Sequence, residues 1–191
     1  MKEKPILFSA PMVRAILEGR KTQTRRIIKY IPLLGEPLAW CAAAKAREPG
    51  WVSIVGDYRR FSPYGIPGDR LWVRETWMPD GLMQLDPTIR AAYYKSDGKE
   101  YVDPGTMTPC KWRPSIHMPR WASRLTLEVT GVRVERVQEI SEEDALAEGV
   151  QPGGDMRWNP VQAYKALWAS IHGPSSWESN PFVWVIEFKR D

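Results

Sequence analysis

Gly19-Arg20-Lys21-Thr22-Gln23-Thr24-Arg25-Arg26 lies where a helical pattern ends. Just upstream, Met12, Val13, Ile16 and Leu17 recur at the spacing of one helix face. Ser9 suits the N-cap, and Pro11 is tolerated in a first turn. Gly19 is the expected stop, because a left-handed residue closes a helix and glycine adopts it without a Cβ penalty. From Gln23 to Ile28 the chain should continue as a strand. The octad therefore holds lysine, arginines and an amide around two threonines at a helix-to-strand junction. Three chemistries suit it: a reactive lysine beside a hydroxyl, a phosphate clamp, or a solvated basic turn. Residues three apart on a strand point to opposite faces. Lys21 and Thr24 converge only if Lys21 sits in the turn after Gly19.

The 191 residues suffice for one domain with insertions. Basic side chains number 27 and acidic ones 23, a net charge of +4 that is weak evidence for a nucleic-acid partner. Distribution says more. Residues 14–29 and 111–124 are basic segments, whereas residues 141–148 carry Glu142, Glu143, Asp144 and Glu148 without a base. An anionic ligand between the basic segments is one consequence. Ten tryptophans and seventeen prolines imply an aromatic core or stacking surface, and many rigid loops. Cys41, Cys110, His117 and His172 lack the close-spaced pairs of zinc motifs, so no metal and no cofactor is expected. No apolar run is long enough to span a bilayer, and no leader pattern follows Met1. A cytoplasmic protein without a membrane partner is expected, with a monomer favoured.

Pro5 to Phe8 is a short strand candidate, and Leu71 to Trp77 a stronger one. Ala91 to Lys95 follows as a short strand. Arg124 to Val137 carries the longest strand signal, broken at Gly131, which suggests a hairpin or a bent strand. Ser141 to Gly149 reads as a capped helix, with Asp144 at the capping-box position and Gly149 as its stop. Asn159-Pro160 opens another helix, with Val161, Tyr164, Trp168 and Ile171 on one face, and Phe182 to Phe188 closes the chain as a strand. Proline and glycine punctuate residues 31–67 and 97–123, read as two long loop insertions in one domain spanning 1–191. Strands do not alternate with helices. The expectation is an α+β fold, a mixed β-barrel with peripheral helices.

Those pieces together resemble the ASCH domain, a relative of the PUA fold of RNA-binding modules. The similarity rests on Gly19-Arg20-Lys21-Thr22-x-Thr24-x-Arg26, then Gly68-Asp69-Arg70-Leu71-Trp72-Val73-Arg74-Glu75. The Ser141–Gly149 helix follows, and then Asn180 to Phe188. The long version with Pro114 to Trp121 is similar to phage and prophage members. The resemblance implies a PUA-like barrel. It also implies the activity of small bacterial N4-acetylcytidine amidohydrolases, whose catalytic lysine and threonine fall on Lys21 and Thr24 here. Their catalytic glutamate, matched by the helix cap, falls on Glu148. The insertions could reshape the pocket.

Acyl transfer needs a nucleophile, a base and a stabilised oxyanion. Thr24 supplies a hydroxyl. Lys21 can act as base when its neighbours Arg20, Arg25 and Arg26, with burial, disfavour the ammonium. Glu148 at a helix C-terminus tends to keep a proton for the leaving nitrogen. Arg26 or a backbone N–H of the turn would steady the oxyanion. The expected substrate contacts are Arg20, Arg26, Trp72, Glu75, His117, Arg120 and Trp121, with Trp72, Trp121 or Tyr93 stacking the base. Glu75 and Glu187 are charges on otherwise apolar strands and each needs a partner. Trp168, Trp184 and Phe188 read as core. The expected partner is an acylated cytidine nucleoside or nucleotide. An RNA-binding module or a ribonuclease using the same basic cleft is the alternative.

Overall fold

The computed structural model describes residues 1–28, 62–80, 88, 91–101, 111–151 and 159–191. Strand β1 (Glu3–Leu7) leads into helix α1 (Ala10–Leu17), and β2 (Gln23–Ile27) follows. Then come β3 (Arg70–Arg74), β4 (Trp77–Pro79), β5 (Ala92–Tyr94) and the long β6 (Thr126–Arg136). Helices α2 (Glu142–Ala147) and α3 (Pro160–His172) precede the last strand, β7 (Phe182–Arg190). The chain is α+β.

Five strands form one mixed sheet in the order β1-β3-β6-β7-β2, and β4 pairs with β5 apart from it. Among the described residues, only β1 and β3 run parallel within the larger sheet; its other pairs are antiparallel. The segment after Gly131 does not turn back as a hairpin. β6 is one bent strand, with a register shift between Val129 and Gly131, as a bulge produces. The strand expected over 71–77 is interrupted at Glu75, so β3 and β4 belong to different sheets.

β7 is buried on both faces, which accounts for its run of large apolar residues. Trp184, Ile186 and Phe188 join Ile6, Phe8, Leu71, Val73, Leu127 and Val129 on one side, under Val13 and Ile16 of α1. Val183 and Val185 meet Tyr164, Trp168, Ile140 and Ala145 on the other. β2 is an edge strand registered against β7, Thr24 opposite Ile186 and Arg25 opposite Val185. Thr24 therefore belongs to the α1 side, and Arg25 to the side of α2 and α3.

The helix ends follow the local chemistry closely. Gly19 takes φ 75° after α1, and Gly149 takes φ 88° after α2. Ser141 Oγ accepts the Asp144 N–H at 3.0 Å, and Asn159 Oδ1 accepts that of Gln162 at 3.0 Å. Ser9 holds the N-cap position of α1 without a side-chain cap bond. Asp144 does not close a capping box; its carboxylate is bound to Gln23, Arg25 and Arg133. Residues 29–61 lie outside the described residues, as do Cys41, Cys110 and most of the first insertion. Of the second insertion, Ser115–His117 and Arg120–Ala122 form single 3-10 turns.

Candidate functional site

Lys21 lies in the turn between α1 and β2, where its N–H bonds Ala15 O at 3.0 Å. That position frees it from strand alternation. Its side chain runs inward, and the residue is 2% exposed. Lys21 Nζ donates to Glu148 Oε2 at 2.6 Å and to the Glu148 carbonyl at 2.8 Å. The turn is locked to α2 by a bond from Thr22 N–H to Ala147 O at 2.9 Å. Gly149 backs the same place: a Cβ there would lie 3.0 Å from both Ala15 Cβ and Lys21 Cβ.

Glu148 is the C-cap of α2 and 4% exposed. Its second oxygen, Oε1, accepts from Arg25 Nη1 at 3.3 Å. Arg25 has no exposed side-chain surface. It donates to Glu135 at 2.8 Å, Asp144 at 2.7 Å and Gln23 at 2.7 Å. Arg133 extends the network to Asp144, Glu135 and Glu187, which gives Glu187 its partner. Burial holds the Lys21 ammonium below its ordinary value; Glu148 pulls against this, and Arg26 and Arg25 reinforce it. Burial also opposes the charge of Arg25, but Glu135 and Glu148 outweigh it and keep its value raised.

A cavity of about 360 Å³ opens beside Glu148, within the range of small-molecule sites, and Lys21 is not among its lining residues. Thr24, Arg25 and Arg26 of β2 and Glu148 line one side. Leu7, Phe8 and Met12 line another, and Tyr164, Leu167, Trp168, Ile171 and His172 of α3 a third. Thr76 and Ser115 complete the rim. Thr24 is 2% exposed. Burial, then the charge of Glu148, pushes the Tyr164 phenol well above its ordinary value. Burial, with Arg26, lowers His172. Among the described residues no group of three or more His, Cys, Asp or Glu could hold a metal ion. Among them, too, no helix is long and apolar enough to cross a membrane.

The expected substrate contacts divide. Arg26 lines the cavity, and its Nη2 donates to Leu7 O at 2.5 Å. Arg20 does not line it. It pairs with Glu18, donates to Gly149 O at 3.1 Å, and borders a neighbouring groove beside Arg14 and Gln151. Trp72 projects from the other face of β3, covered by the guanidinium groups of Arg74 and Arg120 at 5.3 and 5.9 Å. Arg120 is tied to Glu3 at 3.0 Å. Trp121 packs edge-on against Trp77 at 5.6 Å, and Tyr93 bonds Asp80 at 2.9 Å. His117 is exposed on its 3-10 turn. Glu75, 1% exposed, is paired with Arg124 at 3.0 Å and bonded by Ser96. It is a structural ion pair. Trp72, Glu75, His117, Arg120, Trp121 and Tyr93 are absent from the cavity wall.

The aromatic wall instead comes from α3. Tyr164, Trp168 and His172 follow one another at four-residue steps, so their rings stack up one stripe of the helix. Their ring centroids lie 6.1 Å and 4.2 Å apart. Trp168 is both core, as read, and cavity wall. The repeat of polar-tipped rings was the available signal for that second role.

No protein-family profile matches the chain. No curated protein matches it either. A solved structure similar to it is that of protein EF3133 from Enterococcus faecalis V583, of family DUF984. That protein is 12% identical, with a TM-score of 0.40, over 100% of this chain and 80% of its own.

Proposed function

We propose that this protein is an amidohydrolase that removes the acyl group from N4-acylated cytosine nucleosides or nucleotides. The observation that carries this is the buried pair of Lys21 Nζ and Glu148 Oε2, 2.6 Å apart, with Glu148 and Thr24 on one cavity wall. An amine held below its ordinary value and sharing a proton with a carboxylate is a base and an acid in one unit. In its neutral form, Lys21 takes the proton of Thr24 as the hydroxyl oxygen attacks the acyl carbon. The bond from carbon to N4 breaks, and Glu148 gives its proton to the departing nitrogen. Water then attacks the acyl-Thr24 ester and passes a proton to Glu148, while the Lys21 ammonium returns one to the Thr24 oxygen. The products are cytidine and a free carboxylic acid, and the pair is reset.

Arg26 suits the oxyanion, since it is a cation that lines the cavity beside Thr24. The same arginine supports a PUA-like barrel. Its bond to Leu7 O joins β2 to β1, the two edges of the sheet, as expected of a sheet rolled toward closure. An RNA clamp at this site gains less support, because Arg25 is spent on Glu135, Asp144 and Glu148.

The test is incubation of N4-acetylcytidine with purified protein, followed by liquid chromatography. Cytidine and acetate should form, and Lys21→Ala and Thr24→Ala should each abolish turnover. Unchanged turnover in either variant rejects the mechanism. If labelled RNA is bound or degraded while N4-acetylcytidine is untouched, the RNA alternative replaces it.

A further inference from the structure

We infer that Tyr164 is a further catalytic residue, its hydroxyl donating a hydrogen bond to the acyl oxygen while Thr24 attacks; this rests on the amidohydrolase proposed above. Tyr164 lies on α3, lines the cavity and is 3% exposed. A buried tyrosine hydroxyl ordinarily finds a partner. Among the described residues this one has none. Nor is it one of the polar atoms buried without a partner, which there are Arg26 Nε, Trp77 Nε1 and Trp168 Nε1. Those three are fully covered, so the Tyr164 oxygen keeps accessible surface. The same holds for Thr24 Oγ1, although Thr24 is 2% exposed. Two hydroxyls without protein partners, one on β2 and one on α3, thus belong to residues that line one cavity.

The neighbours of the phenol place it at the reacting end. The Arg25 guanidinium lies 5.8 Å from its ring centroid and donates to Glu148 Oε1 at 3.3 Å. After burial, the charge of Glu148 acts most strongly on the phenol, and those of Arg25, Glu135 and Arg26 follow. Burial and Glu148 together keep it protonated, so it is a neutral donor. Its ring packs with Trp168, Trp177, Val183 and Val185. Phenylalanine would fill that place equally well, without a hydroxyl to desolvate. The oxygen therefore serves the cavity, not the core. As Thr24 Oγ1 bonds to the acyl carbon, the carbonyl π pair moves onto the acyl oxygen. Tyr164 donates to that oxygen and keeps its own proton, with Arg26 as the cationic donor. The pair returns as the bond from carbon to N4 breaks, and the Glu148 proton goes to the nitrogen.

Tyr164→Phe keeps the ring and removes the donor. For N4-acetylcytidine, kcat should fall about 100-fold or more, while KM stays close to that of wild type and Tm does not drop. Calorimetry on Thr24→Ala, with and without Tyr164→Phe, should show similar affinities for N4-acetylcytidine, because the donor acts chiefly on the charged oxygen. An unchanged kcat overturns the inference. So does a loss of affinity as large as the loss of kcat/KM, which makes the tyrosine a ground-state contact. A Tyr164→Phe protein that fails to fold overturns it too, since the hydroxyl would then be structural. Any of these alongside hydrolysis by wild type removes the role of Tyr164 and leaves the amidohydrolase standing. If wild type does not hydrolyse N4-acetylcytidine, the reading of the site is wrong and the inference falls with it.

Discussion

Replacing Glu148 by Gln keeps the shape of the side chain and removes the charge between two buried cations. Lys21 and Arg25 are 2% and 4% exposed, and Glu148 takes one on each oxygen. Glu135 and Asp144 still serve Arg25 in the variant, but Lys21 keeps only neutral acceptors, the backbone carbonyl at position 148 and the introduced amide oxygen. Breaking a buried pair by removing one partner costs about 3–5 kcal/mol. For a chain of this size that lowers Tm by about 6–20 °C at neutral pH. The loss should depend on pH with a definite sign. Burial already holds the folded value of Lys21 below its ordinary value, while Glu148 pulls it up. In Glu148→Gln that support is gone and the folded value falls further. Between the folded value and the unfolded value near about 10.4, the unfolded chain binds the extra proton, so stability rises with pH. The Tm gap between wild type and Glu148→Gln should therefore narrow from neutral pH toward pH 10, leaving the part that belongs to Arg25. Thermal unfolding at a series of pH values measures this. A variant as stable as wild type at neutral pH, or a gap that does not narrow, refutes the account of a charged pair sustained by Glu148.

Asp144 has the opposite sign. Although burial opposes its charge, the bond from Gln23 and the charges of Arg25 and Arg133 hold its carboxyl below the ordinary value. The advantage of wild type over Asp144→Asn should be present above about pH 4 and vanish as pH falls through the lowered folded value. Acid titration followed by circular dichroism tests it. Arg124→Met leaves the Glu75 carboxylate, 1% exposed, without its cation, and should cost about 3 kcal/mol, read as a fall in urea midpoint at constant slope. Gly149→Ala forces a Cβ onto a residue at φ 88° and against Ala15 and Lys21. It should lower stability by about 1–3 kcal/mol and displace Lys21, so turnover should fall with Tm.

Much of the site was legible in the chain because its parts are set by short-range rules. Gly19 had to end a helix, which put Lys21 in a turn and Thr24 on the strand after it, and the structure keeps that order. Ser141 and Gly149 likewise bounded α2 and set Glu148 at its C-cap. Which aromatic side chains line the cavity was not legible. Trp72, Arg120 and Trp121 had the right residue types near a strand with basic neighbours. Strand alternation alone does not say which face of β3 enters the core. The pairing of β3 with β1 and β6 puts Leu71 and Val73 into the core and leaves Trp72 beneath Arg74 and Arg120.

Local spacing and capping thus determined the elements and the positions of Lys21, Thr24 and Glu148 along them, because each depends on a few neighbouring residues. Only the tertiary structure decided that Lys21 and Glu148, 127 residues apart, share a proton-bearing contact, and that Arg25 is consumed within the protein. It also decided that, among the described residues, α3 supplies most of the aromatic lining of the cavity. Those outcomes depend on which strand lies beside which and what covers the edge strand β2, and the burial that lowers Lys21 exists only once α1, β2 and α2 have closed around it.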